Sequence, residues 1–171
     1  MALPSTELIR WAIAGLCIAT LAIAAVRDIR SRRIPNWCVV VIIVLGAAWP
    51  FVGPATSPLL GLAAGALAFA ATLALFALGI VGAGDSKLFA ATAFFLGLGY
   101  LAQFAFVTAI AGGALALAVL AMNPTRALVL INMRGKGDFG DGIPYGVAIA
   151  IGGAVVIVCA LTGQISALRY F

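Results

Sequence analysis

Val81-Gly82-Ala83-Gly84-Asp85-Ser86-Lys87 is a short polar island with an apolar run on either side, and the rest of the chain is organised around it. An ionisable residue pressed between membrane-length segments is costly to keep there and marks a functional site by default. Two readings of the island stand side by side. In one, the glycines only make a turn and Asp85 only caps the helix that follows. In the other, Gly82 and Gly84, having no Cβ, let the backbone turn sharply and approach another helix or a ligand. That would present the Asp85 carboxylate at a helix start, ready for chemistry. GxGD by itself is too short a pattern to decide between them.

Outward from the island, the apolar run before it spans 23 residues, Leu59 to Val81, a full crossing with Gly61, Gly65 and several alanines spaced for close helix packing. The run after it, Leu88 to Met122, has 35 residues. As one helix it would measure about 52 Å, against a hydrocarbon core of about 30 Å. It must be two helices, and Gly97-Leu98-Gly99-Tyr100 is the expected break. That leaves a short fourth helix of roughly 15 residues starting at Ser86, about 22 Å long. If such a helix still reaches the far interface, its start lies below the near one, which draws Asp85 into the membrane.

Composition agrees. Of 171 residues, 65% are hydrophobic and 9% charged, and the mean hydropathy is +1.23, whereas soluble domains carry roughly 25% charged residues. This is an integral membrane protein, expected to be all-α and polytopic. Apolar runs fill residues 1–171 and leave room for a single membrane-embedded domain. The net charge of +5 does not point to nucleic acid, because the basic residues are scattered over short loops with no interleaved aromatics.

Toward the N-terminus, residues 8–26 form a further apolar run. Ala22-Ile23-Ala24 resembles a signal-peptide cleavage site. However, residues 27–33 (Arg-Asp-Ile-Arg-Ser-Arg-Arg) carry four arginines, which resist translocation and favour a retained first helix. Pro35 breaks that helix, and Trp37, an interfacial aromatic, opens a second run from Cys38 to about Phe51. Beyond Asn123-Pro124 lies the longest polar segment, 125–142, whose apolar middle, 127–133, is expected to lie along the interface. The chain re-enters at Ile143-Pro144-Tyr145-Gly146 and runs apolar to about Leu161, for six transmembrane helices in all. Six spans put Arg27, Arg30, Arg32, Arg33, Lys87, Arg126, Arg134 and Lys136 on one side and only Arg10 and Arg169 on the other. A single helix over 88–122 would make the split six to four. The positive-inside rule favours six spans with both termini outside the cytoplasm, and so puts Asp28 and Asp85 at the same, cytoplasmic, boundary.

Cys17, Cys38 and Cys159 show no CxxC spacing, and the chain has no histidine. No metal and no cofactor are expected, and Ser/His and Cys/His hydrolase mechanisms are removed. Cys17 and Cys159 fall in apolar runs, where a thiol behaves as a small buried hydrophobe. Carboxylate chemistry remains, and two of only five acidic residues, Asp28 and Asp85, lie at helix ends on a common face. Two carboxylates that share a site cannot easily both ionise, so one holds a proton near neutral pH while the other acts as base toward a water. That is what an aspartyl peptidase requires. The alternative is that Asp28 balances the arginines around it and Asp85 caps a helix.

Asp28 with Arg-Ser-Arg-Arg-Ile-Pro-Asn through 36, GAGDSKLFAA (82–91) and IPYGVAIAIG (143–152) together resemble the type IV prepilin peptidase family. The three motifs occur in order and span essentially the whole chain, and its small size resembles the branch serving tight-adherence (Flp) pilus systems. The resemblance implies a membrane aspartic endopeptidase of the bacterial inner membrane that removes prepilin leaders at the cytoplasmic face. It makes Asp28 and Asp85 the catalytic pair, with Gly82 and Gly84 forming the turn that seats the second. Ile34, Pro35, Asn36, Pro144, Tyr145 and Gly146 would shape the site, with Lys87 beside it. Larger members carry a cysteine-rich insert and also methylate the new pilin N-terminus. This chain lacks that insert, so peptidase activity without methyltransfer is expected.

The implied partners are a prepilin or pseudopilin and membrane lipid, with no nucleic acid. Arg30, Arg32, Arg33 and Lys87 would face a leader that is itself commonly basic, so they read as topology and head-group residues. Asp138 and Asp141 could instead attract the leader. A small proton-linked transporter subunit is a competing reading, since intramembrane carboxylates also serve ion paths. Against it, no ionisable residue leads to the other side. A non-enzymatic membrane assembly protein is a third.

Overall fold

The computed structural model describes residues 4–52, 57–122 and 144–165. Among them are six α-helices and no strand: α1 (Pro4–Ser31), α2 (Asn36–Ala48), α3 (Pro58–Ala77), α4 (Ala83–Leu96), α5 (Leu98–Met122) and α6 (Tyr145–Leu161), with a 3-10 turn at Trp49–Phe51. Three of them, α1, α3 and α5, are long and apolar enough to cross a membrane, and α2 with its 3-10 turn and α6 are shorter apolar helices. The interfacial stretch expected over 127–133 lies outside the described residues.

Loop chemistry explains most helix ends. Pro35, extended at φ −64° and ψ 134°, precedes α2, and its ring fixes a φ suited to entering a helix. Ser57 starts α3, its hydroxyl accepting from the Leu59 N–H while Pro58 occupies the first turn, a pairing that suits a position with no intrahelical donor to lose. The long apolar run 88–122 breaks, as length requires, at Gly97, whose φ of 79° and ψ of 168° are open essentially to glycine alone. The crossing expected within 59–81 is there, and its helix stops four residues before the apolar run does, because Gly79 adopts a left-handed φ of 71°. Its N–H bonds the Phe76 carbonyl and the Ile80 N–H bonds the Leu75 carbonyl, a Schellman cap that stops α3 at Ala77.

The short α4 is the centre of the bundle and packs against α2, α3, α5 and α6. Its 14 residues measure about 21 Å, well short of a bilayer core. Ser86, Leu88, Ala91, Thr92, Ala93, Phe95 and Leu96 are buried along it. Aromatic rings fill the layers around it, with Trp49 against Phe95 at 4.7 Å and Phe89 stacked on Phe104 at 4.5 Å. Helix α6 packs against α1 and α5 through small residues. A Cβ on Gly153 would sit 2.8 Å from Leu21 of α1 and 3.0 Å from Thr92 of α4, so three helices meet there only because no side chain intervenes. Large apolar side chains point outward on the long helices, including Leu62, Leu67 and Leu73 on α3 and Phe106, Ile110 and Leu117 on α5. Such a continuous apolar exterior is matched to lipid rather than to water.

Candidate active site

Four helix ends converge at one end of the bundle: the C-terminus of α1 and the N-termini of α2, α4 and α6. Asp28 lies in the last turn of α1 and is buried, 6% exposed. A buried carboxylate needs partners, and Oδ2 of Asp28 accepts a 2.9 Å hydrogen bond from the Gly146 N–H in the first turn of α6. Gly146 is confined by that contact, since a Cβ on it would lie 2.9 Å from Asp28 Oδ2 and 3.0 Å from its Cβ. Of the re-entry motif, Pro144 is the buried residue preceding α6. Tyr145 turns its ring to α5, within reach of Gly112.

Asp85 sits in the first turn of α4, three residues after Gly82. Its carboxylate folds back over Gly82, where a Cβ would be 2.9 Å from Oδ2, and the Gly82 N–H is its backbone partner. This is the returning half of a capping box, made by an aspartate in the place usually held by Glu or Gln. The other oxygen, Oδ1, is buried and has no hydrogen-bond partner among the described residues. Gly84 faces Ile34, whose side chain would lie 3.5 Å from an added Cβ, so the residue preceding Pro35 packs directly on the glycine turn. Asp28 and Asp85 interact electrostatically, and Arg32 acts on both. The two carboxylates named from sequence therefore share one site, with Gly82, Gly84, Ile34 and Gly146 at its walls. Asn36 and Lys87 are exposed.

Two residues at this end carry more structure than their sequence pattern announces. Ser86 is buried, and its hydroxyl lies 3.1 Å from the Gly82 carbonyl and 3.3 Å from the Thr72 carbonyl of α3, which ties the aspartate turn to a neighbouring helix. A small polar residue directly after Asp85, at the head of an apolar run, was the available signal. Arg32 has a left-handed φ of 52°, and its N–H bonds the Asp28 carbonyl at 3.0 Å. Nothing in the sequence sets it apart from the three arginines around it. Asp138 and Asp141 lie outside the described residues.

This arrangement, two interacting carboxylates at the mouth of a membrane helix bundle, can place one base and one proton donor around a single small molecule or bond. In comparison with known proteins, residues 15–117 match the Type IV leader peptidase family, a stretch that holds both Asp28 and Asp85. No curated protein and no solved structure matches the chain.

Proposed function

We infer the function from one premise, that this chain belongs to the type IV leader peptidase family and is accordingly a peptidase. The reading is that it is an aspartic endopeptidase that removes the leader of a type IV or Flp prepilin or pseudopilin at the cytoplasmic face of the bacterial inner membrane, with Asp28 and Asp85 as the catalytic pair. The observation that carries it is the placement of the two aspartates where helix ends meet, Asp28 in the last turn of α1, held by the Gly146 N–H, and Asp85 in the first turn of α4, folded back over Gly82.

Hydrolysis by such a pair follows from general acid–base chemistry. One carboxylate takes a proton from water as the water oxygen attacks the scissile carbonyl carbon, and the other, protonated, donates to the carbonyl oxygen. Collapse of the tetrahedral intermediate breaks the C–N bond, and the leaving amine takes up a proton from the pair. The Gly146 N–H held on Asp28 fixes one carboxylate in orientation. The buried Oδ1 of Asp85 makes no hydrogen bond among the described residues, so in this reading it is the oxygen that carries the proton or receives the water. The exposed Arg27, Arg30, Arg33 and Lys87 suit lipid head groups at the same face.

The direct test is co-expression with a candidate prepilin bearing a basic leader that ends in Gly before an apolar helix. The reading predicts a shift to the mature mobility that depends on this chain. An unchanged mobility with the protein inserted would count against prepilin as substrate.

A further inference from the structure

We propose that the groove between α2 and α3, floored by α4, is the docking site for the apolar transmembrane helix that follows the scissile bond in the substrate. This deepens the peptidase reading above and rests on it. The helices around α4 pack on one another in turn, α2 on α1, α1 on α6, α6 on α5 and α5 on α3. Between α3 and α2 the ring is open: both pack on α4, yet among the described residues they make no extended contact with each other. The floor shows in that gap. Ala83, Lys87, Ala90 and Phe94 recur at spacings of four, three and four along one face of α4, and they are exposed or half-buried in a helix whose other positions are mostly buried.

The walls fix where the groove ends. A Cβ on Gly46 of α2 would lie 2.7 Å from the Phe94 ring, one on Gly61 of α3 would lie 3.5 Å from the same ring, and one on Gly65 would lie 3.0 Å from the Phe94 Cβ. Phe94 therefore sits between the two walls where their side chains are missing. Beside it is an apolar cavity of about 260 Å³, lined from both walls by residues that include Ala47 and Leu62. It is smaller than the roughly 300–1,000 Å³ of a small-molecule pocket, and it suits the side chains of a helix laid lengthwise. From Asp85 to Phe94 is nine residues, about 14 Å along α4, so the groove leads from the aspartate turn toward the opposite membrane face.

The occupant follows from that continuity. A scissile bond held at the aspartate pair puts the start of the substrate's apolar helix at the cytoplasmic mouth of the groove, and that helix must then cross the bilayer alongside the bundle. Its backbone hydrogen bonds are satisfied internally. An apolar groove can therefore take it by packing alone, as hydrophobic grooves take helices elsewhere.

The test is photocrosslinking to a candidate prepilin in membranes. A benzophenone-bearing amino acid replaces Leu62 or Ala47 in the groove, or Val155 on α6, in an Asp85→Asn background that keeps bound prepilin uncut. All three positions are exposed, so the fold should tolerate each change. The proposal predicts adducts with prepilin from positions 62 and 47 and none above background from 155. Adducts of equal strength from 155, adducts joining two copies of this chain at 62, or no protein adduct at 62 and 47 each overturn it; the second assigns the groove to self-association and the third to lipid. Kinetics give a separate readout. Ala47→Trp should lower kcat/KM for intact prepilin by about tenfold relative to a short peptide that carries the leader and junction without the apolar helix, and Val155→Trp should change neither. Equal slowing of the two substrates by Ala47→Trp, or no slowing, overturns the proposal. Wild-type protein is assayed beside the variants: if it leaves prepilin uncut, the peptidase reading has failed and the proposal with it, whereas cleavage without adducts from the groove means that only the docking site has failed.

Discussion

The amide of Gly146 donates a 2.9 Å hydrogen bond to Oδ2 of Asp28, joining residues 118 positions apart. The contact pins the start of the last described helix to the end of the first. Gly146→Ala would drive a Cβ to 2.9 Å from that oxygen and 3.0 Å from the Asp28 Cβ, and the Asp28 Cβ, next to the backbone, cannot swing aside. Overpacking of this kind costs about 1–3 kcal/mol. Thermal unfolding in detergent should show that loss, accompanied by a fall in cleavage. A variant with wild-type stability and rate would mean that the close approach is not required.

The α5–α6 contact supplies a matched pair. A Cβ on Gly152 would collide with the Thr108 hydroxyl and lie 3.0 Å from the Thr108 backbone nitrogen, while one on Gly113 meets nothing within 4 Å. Gly152→Ala should therefore destabilise the bundle by roughly 1–3 kcal/mol. Gly113→Ala, in the interior of an exposed stretch of helix, should stabilise slightly, by about 0.5–1 kcal/mol at most. Equal melting temperatures for the two variants would contradict the packing described.

Ser86→Ala removes the hydroxyl shared between the Gly82 and Thr72 carbonyls. Loss of one buried neutral hydrogen bond costs about 1 kcal/mol, and the expected result is a lower melting temperature with cleavage retained in protein that remains folded. Complete loss of cleavage at unchanged stability would move Ser86 from support into the chemistry.

Topology gives a further expectation. With six spans, single cysteines placed in 27–36 and in 123–142 should label from the cytoplasmic side, and cysteines at either terminus from the other. Labelling of the two loops from opposite faces would contradict the six-span orientation.

Much of this architecture was legible in the sequence because apolar run length is a direct physical constraint in a bilayer. The break at Gly97 follows from length alone, since one helix over 88–122 could not fit. The end of α3 was not legible, because Gly79 lies inside an uninterrupted apolar run and only its left-handed φ and the two capping bonds reveal the stop. Asp28 and Asp85 come forward as candidates because charge is so scarce that each carboxylate in the apolar chain stands out. Contact between Asp28 and Gly146 is a long-range relation that periodicity does not encode. The special position of Arg32 depends on which residue ends α1, and within Arg-Ser-Arg-Arg a shift of one residue moves it from half-buried to exposed.

The central claim, that Asp28 and Asp85 act as one catalytic unit, is tested most directly by prepilin cleavage in Asp28→Asn, Asp85→Asn and the double variant, each checked for insertion and stability. Asparagine keeps the shape and removes the base or the shared proton. Each single variant should abolish cleavage while Asp138→Asn and Asp141→Asn retain it, and the double variant should be no worse than either single, because both disable the same step. Near-normal cleavage by either Asp28→Asn or Asp85→Asn would contradict the account.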